Sequence, residues 1–349
     1  MANPTPCVLT VSLVTRGSPE QPTGGHLYHQ RIAASAPAHQ ACVEFVQAST
    51  WRNPLRATRG LPVIDSITAW SVAPWLWGRP PTGAIAAIVH QPPGGIDHGA
   101  FRAALQRPLD QSLYRRCALV IAASTALGDE LADRHGVPAE RIEVVEPGSD
   151  LPVPTSPPAD LRRGRRLAVL TVANWLPNKG IVDLLDAVAG LPADTVTLHL
   201  VGSDELDHAY AGRVRARLGA PDLVGRVIVH GALGRHDVAA MYRDADAFVL
   251  PSRLETYGTV YAEALRAGLP TVGCRSGNLR NLITEGQEGC LLPPGDVTAL
   301  RDVLGRLATD EGWRATLAAA ACRRGCLLPA WEDTAAAFFG ALRGLSSHS

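Results

Sequence analysis

The chain has 349 residues, 46% of them apolar, with 33 basic and 33 acidic side chains. That length fits two domains at roughly 150 residues each. The charge cancels in each half, 12 basic against 13 acidic in residues 1–160 and 21 against 20 beyond, which leaves no polycation for a nucleic-acid backbone or an anionic membrane.

No apolar stretch follows a basic start, and no run approaches the roughly 18 apolar residues that a bilayer span requires. The expectation is a cytoplasmic protein with no integral membrane segment and no nucleic-acid partner; oligomeric state is not legible. Seven cysteines without a CxxC pair suggest neither a disulfide framework nor a zinc site. Cys322 and Cys326, one helical turn apart, read as core residues.

In chain order, strands are predicted at 8–15, 42–46, 84–90, 118–122 and 143–146, with helices at 25–36 and 127–135 among them. Residues 150–160 (DLPVPTSPPAD) carry Pro152, Pro154, Pro157 and Pro158, which stop helices and central strands alike. Beyond them, strands at 167–172, 195–201, 227–230, 247–250 and 271–274 alternate with helices at 180–188, 209–218, 235–242, 259–267 and 297–308. This alternation predicts an α/β protein of two doubly wound Rossmann-like domains, 1–155 and 156–330. Two such domains leave a cleft, and open α/β sheets bind ligands at the carboxyl ends of their strands. The last segment, 331–349, reads as an apolar helix packing back on the first domain.

The most informative stretch is 251–270, PSRLETYGTVYAEALRAGLP. A strand end leads through a loop into a helix opening near Gly258 and Thr259, where unpaired amides and the helix dipole favour an anion. Glu255 and Glu263 flank that opening. They read either as acceptors for paired sugar hydroxyls or as a loop charge and a solvated helix residue, and spacing does not separate the two. Lys179 is the one lysine against 32 arginines, a position where a compact ammonium is required. In PTGGHLYHQRI, Gly24 and Gly25 permit close backbone approach, although this is not the G-x-G-x-x-G of a dinucleotide site. His90 closes the run AIAAIVH at a strand's carboxyl end, as a site imidazole or as filler. The tryptophans of 70–77 read as core, and Arg162, Arg163, Arg165 and Arg166 as a solvated linker end.

Glu-Thr-Tyr-Gly-Thr followed by Ala-Glu-Ala and Ala-Gly-Leu-Pro resembles the E-x(7)-E signature of the retaining GT-B glycosyltransferases of family 4. TVANWLPNKG at 171–180 is similar to that family's phosphate-binding loop, and GCLLPPGD at 289–296 to its closing turn. The resemblance covers nearly all of 140–310 and is looser over 1–139. It implies that Lys179 binds the diphosphate and that Thr256, Tyr257, Gly258 and Thr259 present amides to the sugar and diphosphate. It further implies that Glu263 takes the ribose hydroxyls and Glu255 those of the transferred sugar. By the same resemblance, Gly24 and Gly25 are expected near the donor phosphates, with His26, Tyr28 and His29 lining the acceptor side. The resemblance further implies that His90 stands beside the transferred sugar, and the loop at Ala232–Leu233 is expected to meet the base. Ser124 and Gly148 are similar to structural turn positions. The sequence departs from the family at Asn174, where an arginine is usual, with Arg253 and Arg275 as possible stand-ins.

The reaction implied is retaining transfer from a nucleotide-diphosphate sugar to a small-molecule or glycan acceptor. Lys179, Glu255 and His90 are the catalytic candidates, and no metal or other cofactor is expected. A front-face route, with the leaving diphosphate helping to deprotonate the acceptor, fits the lack of an obvious carboxylate nucleophile. Two alternatives stand beside it: a sugar-nucleotide epimerase or hydrolase on the same fold, and a binding module without catalysis.

Overall fold

The computed structural model describes residues 8–17, 24–48, 51–77, 83–96 and 99–346. The chain forms two compact units, one of residues up to Gly148 together with those from Pro329 onward, the other of Ser149–Leu328. The chain passes between units just ahead of the proline-rich run.

The first unit is built on six parallel strands, β1 (Leu9–Thr15), β2 (Ala41–Gln47), β3 (Leu61–Asp65), β4 (Ala86–Val89), β5 (Leu119–Ala122) and β6 (Ile142–Val144). They lie in the order β2-β1-β3-β4-β5-β6. Every residue of β4 and β5 is buried, as expected of strands covered on both faces. Helices α1 (Gly24–Ser35), α2 (Ala69–Val72), α3 (Ala100–Tyr114) and α4 (Thr125–His135) provide the cover, and Ser124 caps α4 by accepting the Leu127 amide at 3.2 Å. Strand order reverses between β1 and β3, so a switch-point crevice opens at the ends of those strands.

The second unit repeats the plan with β7 (Leu167–Val172), β8 (Val196–Val201), β9 (Val227–Gly231), β10 (Ala247–Val249), β11 (Thr271–Cys274) and β12 (Gly289–Leu292). Their order, β12-β11-β10-β7-β8-β9, puts the reversal between β7 and β10. Its helices are α5 (Ile181–Ala189), α6 (His208–Leu218), α7 (Arg235–Asp244), α8 (Thr259–Arg266), α9 (Leu279–Leu282), α10 (Val297–Thr309) and α11 (Glu311–Cys326). The basic cluster at its entrance is solvated, as expected, and two of its members are ion-paired: Arg162 grips Asp246 and Arg166 grips Asp194.

Several expectations are corrected. Strand β3 and helix α3 were not predicted. The first is a five-residue strand with Pro62 inside it, and the second carries Pro108 in its interior and Phe101 and Leu105 on its exposed face. Strand β12 stands where a closing turn is expected and pairs with β11, and α11 adds a helix beyond those expected. Cys322 and Cys326 are exposed, because α11 buries the stripe of Leu317, Ala321 and Gly325 instead. In the segment 70–77 the core is filled by Val72, Ala73 and Leu76, while Trp75 and Trp77 are exposed. Cys42 is disulfide-bonded.

The closing helix α12 (Trp331–Ser346) belongs to the first unit. Its residues Trp331, Ala335, Phe338, Phe339 and Leu342 recur at helical spacing and are buried with Leu9, Val11, Tyr28 and Ile32. The Thr334 hydroxyl fixes its first turn by donating to the Glu146 carbonyl at 2.9 Å. Phe339 is fully buried. Phe339→Ala is expected to destabilise the first unit by about 3–5 kcal/mol, read as a lower urea midpoint for that unit's unfolding transition.

Candidate active site

Two loops meet at the switch point of the second unit, residues 173–180 after β7 and 250–258 after β10. The Asn178 side chain ties them as a backbone segment would: Nδ2 donates to the Leu254 carbonyl at 2.9 Å, and Oδ1 accepts the Leu254 amide at 3.1 Å. The Arg253 amide donates to the Asn178 carbonyl at 2.8 Å. Gly180 closes the first loop with φ +66°, and a Cβ there would lie 2.4 Å from the Pro251 carbonyl oxygen. Only glycine allows both the left-handed turn and that approach.

Held in this way, Lys179 Nζ donates to Glu255 Oε1 at 2.7 Å, with the side chains 20% and 10% exposed. Beside the pair, Gly258 takes φ +98° and opens α8 without a side-chain cap. The amides of Gly258, Thr259 and Val260 find no acceptor among the described residues. Asn278, fully buried, holds the loop from behind, its amide donating to the Glu255 carbonyl at 2.9 Å and its Nδ2 to the Tyr257 carbonyl at 3.1 Å. The Tyr257 ring is buried in the core, so its position contributes backbone to the loop surface. An ammonium, open amides and a carboxylate thus share one edge, a set suited to an anion with hydroxyls attached.

Glu263 occupies a neighbouring station and does not join the Lys179–Glu255 pair. Its Oε2 accepts the Tyr242 hydroxyl at 3.3 Å, and its Oε1 lies 3.9 Å from Arg235, whose other arm is held by Asp150 at 2.9 Å. Burial lifts the Glu263 carboxyl to about 7, against the opposing pull of Arg235 and Tyr242. Leu233 lies two residues before Arg235, packed partly against the core. Asn174 turns its oxygen to the Ser203 amide at 3.0 Å, so the position lacking the usual arginine ties two loops together. Neither proposed stand-in sits free: Arg253 reaches Asp183 at 3.4 Å, and Arg275 is held by Glu285 and the Leu291 carbonyl.

In the first unit, Gly24 and Gly25 begin α1, and the His90 ring packs 3.5 Å from where a Gly25 Cβ would stand. The three acceptor-side candidates are all buried. Tyr28 is a core residue that donates to the Val145 carbonyl at 3.4 Å and packs edge-on against Trp331. His26 is buried against the Arg16 carbonyl, and His29 is 1% exposed. His90 Nε2 lies 3.2 Å from His29 Nε2. Burial, aided by neighbouring imidazoles, lowers His29 to about 3 and His90 to about 4. Asp65, Asn178, Asn278 and Arg235 were missed as site residues; nothing in a one-dimensional pattern marks a side chain whose partner lies dozens of residues away.

The sequence profile for "Glycosyltransferase Family 4" matches residues 10–152, and that for "Glycosyl transferases group 1" matches 166–310. The chain belongs to glycosyltransferase family 4. Relatives of this family 4 chain include a D-inositol 3-phosphate glycosyltransferase of Xylanimonas cellulosilytica, 33% identical over 237 residues, covering 62% of this chain and 56% of the relative. A mannosylfructose-phosphate synthase of Agrobacterium fabrum is 29% identical over 197 residues, covering 53% and 43%. The chain thus spans about half the length of the curated relatives it matches. A sucrose-phosphate synthase from Thermosynechococcus elongatus superposes with TM-score 0.83 at 20% identity, over 98% of this chain and 100% of that one. Anabaena HepE in complex with UDP-glucose gives 0.77 at 20%, over 97% and 100%. The fold is that of the GT-B glycosyltransferases.

The Glu263 carboxyl carries a testable sign. Its folded-state value of about 7 lies above the ordinary 4.5, so the native chain holds the extra proton, and stability falls as pH rises from 4.5 through 7. Glu263→Gln removes that cost. Urea unfolding at pH 8 is expected to show a gain over wild type about 3 kcal/mol larger than the same comparison at pH 4.

Proposed function

We propose that the chain transfers a sugar from a nucleoside-diphosphate sugar to an acceptor hydroxyl with retention of anomeric configuration. The observation that carries this reading is the Lys179–Glu255 pair beside the open amides of Gly258–Val260. On donor binding, the ammonium and the amides take the diphosphate oxygens, and Glu255, relieved of its partner, accepts sugar hydroxyls. Glu263 takes the ribose hydroxyls, with Leu233 toward the base. The HepE complex with UDP-glucose supports a UDP-sugar as the donor class.

In the transfer step the acceptor oxygen bonds to the anomeric carbon as the bond from that carbon to the phosphate oxygen breaks. The acceptor proton passes to the departing diphosphate. Lys179 and the fixed amides stabilise the charge that builds there, which is electrostatic catalysis by groups already in place. His90 shapes the sugar-binding side. Because these groups supply the positive charge, the reaction needs no divalent ion on the diphosphate. Cytoplasmic placement draws support from the five free cysteines among the described residues, whereas the Cys42 disulfide weighs against it.

Lys179→Ala is expected to weaken nucleoside-diphosphate binding about 10–100-fold, read by calorimetry. Glu255→Gln should lower kcat by about 100-fold or more while leaving diphosphate binding within a few-fold. Donor binding without transfer across an acceptor panel would favour a binding module, the alternative suggested by Asn174. Donor consumption without an acceptor would favour a hydrolase or epimerase. A chelator is expected not to lower initial rates; loss of activity restored by manganese would overturn metal independence.

A further inference from the structure

The first unit has its own switch point, between β1 and β3, and polar groups converge on it from four elements. Thr15 ends β1, Asp65 ends β3, His90 follows β4, and His29 comes from the second turn of α1. His29 Nε2 stands 3.2 Å from His90 Nε2 and 3.7 Å from Asp65 Oδ2. One atom from each of the three residues lies within 4.8 Å of the others.

We infer that this crevice binds a borderline divalent cation, Zn²⁺ in preference to Mg²⁺, through His29 Nε2, His90 Nε2 and Asp65 Oδ2. Tetrahedral Zn²⁺ with ligands at about 2.0–2.1 Å sets ligand atoms about 3.3–3.4 Å apart. The observed 3.2 and 3.7 Å require shifts of a few tenths of an ångström, and the His90–Asp65 pair, within 4.8 Å, must close further. Two imidazoles and one carboxylate suit Zn²⁺ and its neighbours in the series, whereas Mg²⁺ favours oxygen and keeps its waters.

The surroundings hold the carboxylate in place. The Thr15 hydroxyl donates to Asp65 Oδ2 at 2.8 Å, while the Ser66 hydroxyl and Ile67 amide donate to Oδ1 at 3.3 and 3.2 Å. Such outer partners orient metal ligands. His29 Nδ1 is buried without a hydrogen-bond partner, so no protein contact at that atom selects the ring's tautomer. A cation on Nε2 would select it, placing the proton on Nδ1. Without a cation, the facing Nε2 atoms share a single proton, the competing arrangement.

Occupancy would hold His90 against His29 and so inhibit transfer. That consequence rests on the role proposed for His90; the binding itself does not, and it is tested on donor-free protein. Full-length chain is treated with EDTA, desalted, and titrated with ZnCl₂ or MgCl₂, reading metal content after a second desalting and thermal melting. The expected result is about one zinc retained per chain, a rise in Tm of about 5 °C with zinc, and none with magnesium. His29→Gln and His90→Gln should each weaken zinc binding about 100-fold, and Thr15→Val about tenfold. Metal-free melting of each variant confirms folding, and His90, half-buried, is the position that tolerates exchange if His29→Gln does not. Wild-type protein that retains no zinc, or zinc uptake unchanged in both histidine variants, overturns the proposal.

Discussion

The contact on which the second unit's carboxyl edge depends is the 2.7 Å bond from Lys179 to Glu255. Both side chains are largely withdrawn from water, so neither charge is tolerated well alone. The geometry that brings them together comes from elsewhere. Asn178 stitches the two loops, Gly180 lets one pass under the other, and Asn278 braces the second from behind. A diphosphate can replace the carboxylate as the ammonium's partner, and sugar hydroxyls can replace the ammonium as the carboxylate's. Under the proposed function, the pair keeps both groups compensated until a donor supplies both substitutes.

Glu263 shows the opposite solution inside α8, the helix that follows the Glu255 loop. It has no ammonium within bonding range, and its neutralisation comes from the proton that burial favours, with Tyr242 and a more distant Arg235 as modest counterweights. One motif thus yields two carboxyl groups in different electrostatic settings, one paired and one desolvated. Under the proposed function, that difference separates a group facing the reacting sugar from one facing a ribose that does not react.

The two sheets obey one topological rule with different chemistry. In each, strand order reverses beside the first strand, and the polar groups of interest gather where the reversal opens the sheet. In the second unit the crevice carries a lysine and open amides. In the first it carries imidazoles and Asp65. A crevice rich in neutral nitrogen and carboxylate oxygen suits a cation where the other suits an anion.

The alternation of short buried strands with helices was legible because burial on both faces leaves unbroken runs such as AAIV and LVIA. The E-x(7)-E stretch and the lone lysine were legible for a similar reason, since loop and helix-start chemistry is local in sequence. Strand β3 and helix α3 were not, because their internal prolines read as breaks whereas neighbouring elements override them. The sequence by itself determined the class of fold and the identity of Lys179, Glu255 and Glu263 as candidates. The tertiary structure alone decided that Lys179 meets Glu255 while Glu263 turns to Tyr242, that Tyr28 is core, and that His29, Asp65 and His90 converge. Those outcomes rest on contacts between residues far apart in the chain, whose distances are set by sheet order and loop packing.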